Sequence, residues 1–134
     1  GISDVSLFRP STGTWYQLRS SNGSFYGEQF GAATDLPQSA DYDGDGKTDL
    51  AVYRPSDSNW FIKNSSTSTF SIFNFGLSTD IQAVGDFEGD GKADISVFRP
   101  SNANWYRRNS STGTFFAFQF GATGDKPTPS AFRY

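Results

Sequence analysis

The stretch Asp41-Tyr42-Asp43-Gly44-Asp45-Gly46-Lys47-Thr48-Asp49-Leu50-Ala51-Val52-Tyr53-Arg54-Pro55-Ser56 returns 45 residues later as Asp86-Phe87-Glu88-Gly89-Asp90-Gly91-Lys92-Ala93-Asp94-Ile95-Ser96-Val97-Phe98-Arg99-Pro100-Ser101. Each copy opens as an acidic loop punctuated by glycine, runs into an apolar segment and stops at Arg-Pro-Ser. The period extends outward. Arg9-Pro10-Ser11 precedes both copies, Trp15, Trp60 and Trp105 keep one spacing, and so do Phe30-Gly31, Phe75-Gly76 and Phe120-Gly121. From each Arg to its Phe-Gly the three copies align without a gap. A fixed period of this size marks an array of one supersecondary unit whose copies bury their apolar faces against one another. The 134 residues are therefore predicted to form a single array, 1–134. Units 37–81 and 82–128 are whole. A third is made of residues 1–36 plus a closing segment, 129–134, supplied by a neighbouring chain.

Within a unit, four short segments read as strands: 38–42, 50–54, 59–63 and 69–75. Each is rich in β-branched and aromatic residues and bounded by turn formers, and no stretch sustains a helical period. Leu50, Val52 and Arg54 point to one side and Ala51 and Tyr53 to the other, so both faces are apolar. That suits a sheet sandwiched between two neighbours. A four-stranded meander repeated in this way describes a propeller blade, with a solenoid of stacked hairpins as the alternative. The expected fold class is all-β, with β-propeller blades as three four-stranded repeats completed to a ring by oligomerisation. Rings use roughly 4–8 blades, so three fall short. A homodimer closes a six-bladed ring when segment 129–134 of each chain enters the other's first blade; a trimer with nine blades is the alternative.

Apolar residues make up only 35% of the chain, which leans toward disorder, but 17% are aromatic, with 14 Phe, and aromatic side chains bury large areas. There is no Cys, hence no disulfide or thiol chemistry, and no His, which removes the commonest catalytic base. No apolar run reaches the roughly 18 residues of a membrane helix, and no signal peptide is visible. Eight of the 14 acids lie in the two loops. No basic run suggests nucleic acid, and the isolated pair Arg107-Arg108 is expected on a solvated strand edge.

The loop Asp41–Asp49 carries acids at positions 1, 3, 5 and 9 and Gly46 at position 6. Oxygen donors at alternate positions converge when a loop curls, glycine at 6 permits the sharp turn, and the position-7 residue offers its backbone carbonyl. The expected cofactor is Ca²⁺, held by Asp41, Asp43, Asp45, Lys47 and Asp49, and in the second loop by Asp86, Glu88, Asp90, Lys92 and Asp94. Position 12 is Val52 or Val97 and strands flank the loops, so this is not an EF-hand. An acidic turn without metal is the plain alternative; four carboxylates this close repel one another when no cation is present. The third copy, at the chain ends, is degraded: Ala131 and Arg133 replace acids and Asp4 survives, so Arg133 is expected to pair with Asp4 in place of a cation.

The run Asp-x-Asp-Gly-Asp-Gly-x-x-Asp, an apolar strand, Arg-Pro-Ser, an aromatic pair and Phe-Gly resembles the FG-GAP/VCBS-type repeats. These are calcium-loop β-propeller repeats found in integrin α heads and in many secreted bacterial proteins. The resemblance covers the whole chain. It implies a propeller, calcium in the loop between first and second strands with the eight acids of the two loops as ligands, a secreted or extracellular origin, and roles in adhesion or ligand binding.

Metal accounts for every carboxylate cluster, and without His or Cys no nucleophile–base pair is visible, so no enzymatic activity is expected. The leading reading is a structural module that assembles into a ring. The alternative is an extracellular binding or adhesion module, lectin-like or protein-binding. Its candidate ligand residues are Arg9 with Trp15, Arg54 with Trp60 and Arg99 with Trp105, because an indole stacks on sugar C–H faces and Arg donates to hydroxyls. Packing between repeats explains the same recurrence and is the simpler account.

Overall fold

The computed structural model describes residues 4–129, which form eleven strands and no helix. The first sheet holds β1 (Val5–Arg9), β2 (Thr14–Leu18) and β3 (Phe25–Gln29). The middle sheet holds β4 (Leu36–Pro37), β5 (Leu50–Arg54), β6 (Asn59–Lys63) and β7 (Phe70–Asn74). The last sheet holds β8 (Ile81–Gln82), β9 (Ile95–Arg99), β10 (Asn104–Arg108) and β11 (Phe115–Gln119). Every sheet is an antiparallel meander in chain order. The expected strands 50–54 and 59–63 are found residue for residue.

Side chains of each repeat fix its bends. After Arg-Pro-Ser the chain enters the second strand through a left-handed residue, Gly13, Ser58 or Ala103. Its carbonyl accepts the N–H of Phe30, Phe75 or Phe120 respectively. The indole N–H of the repeat's Trp then donates to that Phe's carbonyl, at 2.8 Å for Trp15, 2.9 Å for Trp60 and 3.0 Å for Trp105. The Phe-Gly bend is thus tied to the second strand at two points. Gly76 sits at φ 95°, a region a side chain rarely adopts, and a Cβ there would lie 3.3 Å from the Val97 side chain.

The first strand of each unit differs from expectation. Pairing begins at Leu36 rather than 38, continues through a Gln38 N–H to Ala51 carbonyl bond and ends at the bridge Ala40–Asp49. Asp41 and Tyr42 leave the ladder because the loop claims them: the Tyr42 N–H donates to the Asp49 side chain at 2.7 Å. The last sheet repeats this at Ile81–Gln82 with the bridge Gly85–Asp94. The first sheet has three strands among the described residues. In the expected closing segment 129–134 everything past Pro129, including Ala131 and Arg133, lies outside them.

The sandwich expectation holds for the middle sheet, where Ala51, Val52 and Tyr53 are all buried. Ala51, Tyr53, Trp60 and Ile62 pack with Ile95 and Val97 of the last sheet. On the other side Val52 lies against the Gly31 bend beside Phe8. The outer sheets each keep one face open. Val5 and Leu7 are 71% and 51% exposed on the first sheet, and Phe116 and Phe118 are 47% and 49% exposed on the last. Arg107 and Arg108, expected on a solvated edge, are half-buried instead. The Arg107 guanidinium lies over Phe87 and Phe116, and that of Arg108 over Phe73, because the negative face of an aromatic ring attracts a cation and is covered by it.

Candidate metal loops and the ion pairs beside them

In the loop 41–49 the carboxylates organise the backbone around themselves. Asp41 accepts the Gly44 N–H at 2.7 Å and the Gly46 N–H at 2.8 Å, both glycines being left-handed. Asp49 is fully buried and accepts N–H groups from Tyr42 at 2.7 Å, Asp43 at 3.2 Å and Ser65 at 2.7 Å. Asp43 accepts the Asp45 N–H at 3.1 Å and the Ser66 hydroxyl at 2.5 Å. That hydroxyl holds the Asp43 carboxyl below the usual carboxylate range. One carboxylate oxygen from each of Asp41, Asp43 and Asp49 falls within 4.8 Å of the others, the spacing a single cation needs. Asp45 stands apart from this group. Its carboxylate takes the Lys47 N–H at 2.8 Å and the Ser65 hydroxyl at 3.0 Å.

The second loop repeats the frame with a different third position. Asp86 accepts N–H groups from Gly89 and Gly91, which hold its carboxyl low, the Gly91 bond contributing most. Asp94 is buried and accepts from Phe87 and Ser110. Glu88 takes the Ser111 hydroxyl as Asp43 takes that of Ser66, and its longer side chain also accepts the Asn109 amide. Asp90 accepts the Lys92 N–H. Among the described residues no three acids of this loop converge as Asp41, Asp43 and Asp49 do. The loops also touch each other: the Ala93 N–H donates to the Asp41 carbonyl at 2.7 Å, and the Lys92 stem lies against Gly44.

Residues 41–97, from the first acid of the first loop into β9, match the FG-GAP-like repeat. This segment is an FG-GAP-type repeat. The match suggests a module of the β-propeller type. No curated protein and no solved structure matches the chain significantly. Among the described residues no helix is long and apolar enough to cross a membrane.

Around the FG-GAP-type segment the ninth-position acid plays one local role in all three units. Asp4, Asp49 and Asp94 each accept the backbone N–H of a serine 16 residues on, Ser20, Ser65 or Ser110. The pairing of Asp4 with Arg133 falls outside the described residues; within them Asp4 takes the Ser20 N–H and hydroxyl and the Gln17 amide. Ser65 and Ser110 sit in the repeated runs Asn64-Ser65-Ser66-Thr67 and Asn109-Ser110-Ser111-Thr112, and Ser20 in Arg19-Ser20-Ser21-Asn22. Ser20's N–H, then its hydroxyl, lower the Asp4 carboxyl below its ordinary value. A carboxyl depressed in the folded state stabilises above its unfolded pKa and loses that contribution as pH falls through the folded one. Asp4→Asn is therefore expected to lower the melting temperature at pH 7 and to differ less and less from wild type below about pH 4; parallel melting curves down to pH 2 would show that the charge is irrelevant.

The residues expected to form a sugar platform are engaged elsewhere. Trp60 has no exposed surface, and Trp15 retains 8%. Trp105 is half-buried on the open face of the last sheet. Arg54 grips Asp35 through Nε at 2.7 Å and Nη2 at 2.8 Å while lying over Phe61, and Arg99 grips Asp80 at 2.8 and 2.9 Å while lying over Tyr106. Both carboxylates are fully buried. Each also accepts an N–H from its own turn, Ala32 or Leu77. These pairs stand at the joints between sheets. Sequence reading missed them, although an Asp follows each Phe-Gly at the same distance: Asp35, Asp80 and Asp125. Arg9 lies over Tyr16 and donates to its hydroxyl at 3.1 Å.

Proposed function

We propose that this chain is a calcium-stabilised β-propeller module of extracellular origin, without enzymatic activity, that serves as a structural scaffold by closing a six-bladed ring with a second copy of itself. The observation that carries the metal reading is the convergence of Asp41, Asp43 and Asp49 on one point. Three carboxylates held together by the backbone repel one another, and a hard divalent cation offsets that repulsion with the oxygen donors it prefers. Asp41, Asp43, Asp45, Asp49 and the Lys47 carbonyl would hold it. Asp86, Glu88, Asp90, Asp94 and the Lys92 carbonyl form the second site, whose Glu88 is drawn toward Asn109 and Ser111. Calcium's role here is to neutralise and cross-link the loop. Affinities of extracellular modules, about 10⁻⁴–10⁻³ M, are enough for that role where calcium is abundant.

Two of the acids outside the loops support a non-catalytic reading, since Asp35 and Asp80 are locked in ion pairs. The ring reading is supported by the two open sheet faces, which leave Val5 and Leu7 on one and Phe116 and Phe118 on the other without apolar cover. Calorimetry is expected to show two calcium-binding steps, the first loop filling before the second. Asp43→Asn should weaken the tighter step by on the order of tenfold through lost ligand charge. Absence of calcium-dependent heat, together with a melting temperature unchanged by chelator, would remove the metal from this proposal.

A further inference from the structure

We propose that Arg9 of one copy and Asp125 of the other form the ion pair that locks each joint of the ring; the inference rests on the ring reading above. Both joints inside the chain are built alike. The turn after Phe-Gly presents an Asp, and the Arg that ends the next sheet's second strand takes it in two hydrogen bonds, Asp35 with Arg54 and Asp80 with Arg99. The repeat supplies one more of each partner, on opposite open faces. Asp125 stands in the same turn: its N–H donates to the Ala122 carbonyl at 3.1 Å and its Oδ2 accepts the Ala122 N–H at 2.8 Å. The corresponding bonds are 3.0 and 2.8 Å at Asp35 and 3.0 and 2.9 Å at Asp80. Asp125 is exposed and takes part in no ion pair among the described residues. Arg9 is likewise set in position, 4.5 Å above Tyr16, as Arg54 is 4.4 Å above Phe61 and Arg99 4.2 Å above Tyr106. It is exposed and has no carboxylate within reach among those residues.

The surfaces around the two groups match as the internal joints do. Leu7, 51% exposed, occupies the place of Val52, which is 1% exposed against the Gly31 bend. Phe98 lies beside Gly121 as Phe8 lies beside Gly31. Docking the first sheet of one copy on the last sheet of the other repeats an existing joint, and because each copy carries both halves, two copies close with two identical joints. Such head-to-tail contacts make rings when the rotation closes.

The test is light scattering in calcium on wild type, Arg9→Asp and Asp125→Arg, separately and mixed. Wild type is expected as a dimer. Each variant alone places like charges in both joints and should lose at least about a hundredfold in dimer affinity. Both side chains are exposed in the single chain, so each variant should keep the wild-type circular dichroism. In the equimolar mixture every joint again faces an acid with an arginine, and the dimer should return. A dimeric wild type whose two variants assemble equally well overturns the ion pair and leaves the ring standing; so does a mixture that stays monomeric. A monomeric wild type overturns the ring and the pair together.

Discussion

Asp80→Ala is expected to lower the unfolding free energy by about 3–5 kcal/mol, the cost of breaking a buried ion pair from one side. The Asp80 side chain is fully buried, and Arg99 is 21% exposed. Removing the carboxylate strips two hydrogen bonds from the guanidinium and leaves it half-buried over Tyr106 without a counter-charge. It also orphans the Leu77 N–H, which Asp80 caps at 2.9 Å. The Coulombic gain of the intact pair is largely cancelled by desolvation, so removing both charges is expected to cost much less than removing one. Urea unfolding at fixed protein concentration, with Asp80→Ala, Arg99→Met and the double variant, measures the coupling as a double-mutant cycle. A loss under about 1 kcal/mol for Asp80→Ala, or additive single losses, would show that the joint is held by apolar contact alone.

Trp60→Ala is expected to cost a similar amount, about 3–5 kcal/mol, by a different route. Trp60 has no exposed surface, packs 5.2 Å from the Tyr53 ring and sits in the cluster with Ile95 and Val97. Truncation opens a cavity between two sheets and frees the Phe75 carbonyl that the indole N–H holds at 2.9 Å. Trp60→Phe keeps most of the apolar contact and loses that bond, so about 1 kcal/mol plus a smaller void should remain. Trp105→Ala, on the open face, should cost less than Trp60→Ala in dilute solution. Equal losses at both positions would mean that the last sheet is covered by something in the free chain.

The period, the strand class and the two central strands of the middle sheet were legible in the sequence because they rest on local chemistry. Residues 50–54 alternate with apolar groups on both faces, and only a sheet with two neighbours buries both. The curl of the acidic loops was legible too, since Gly44 and Gly46 at left-handed φ angles and acids at alternate positions are properties of a nine-residue stretch. The end of the first strand was misplaced by two residues, at 42 instead of the Ala40–Asp49 bridge, because Asp49 reaches back for the Tyr42 N–H, a competition between ladder and side chain that a propensity cannot weigh.

What each Asp does was decided by the tertiary structure alone. Asp41, Asp43 and Asp49 converge while Asp45, one alternate position on, turns to Ser65. Asp35 and Asp80 look like any surface acid until the chain brings an arginine from 19 residues away onto them. The recurring Arg and Trp suggest a ligand platform in one dimension and become joint and bend fasteners in three. A repeat spells out which residue types recur and so determines the unit and its periodic burial. The partner of a charged or amphipathic side chain is set by groups distant in the chain, and only packing brings those within hydrogen-bonding reach.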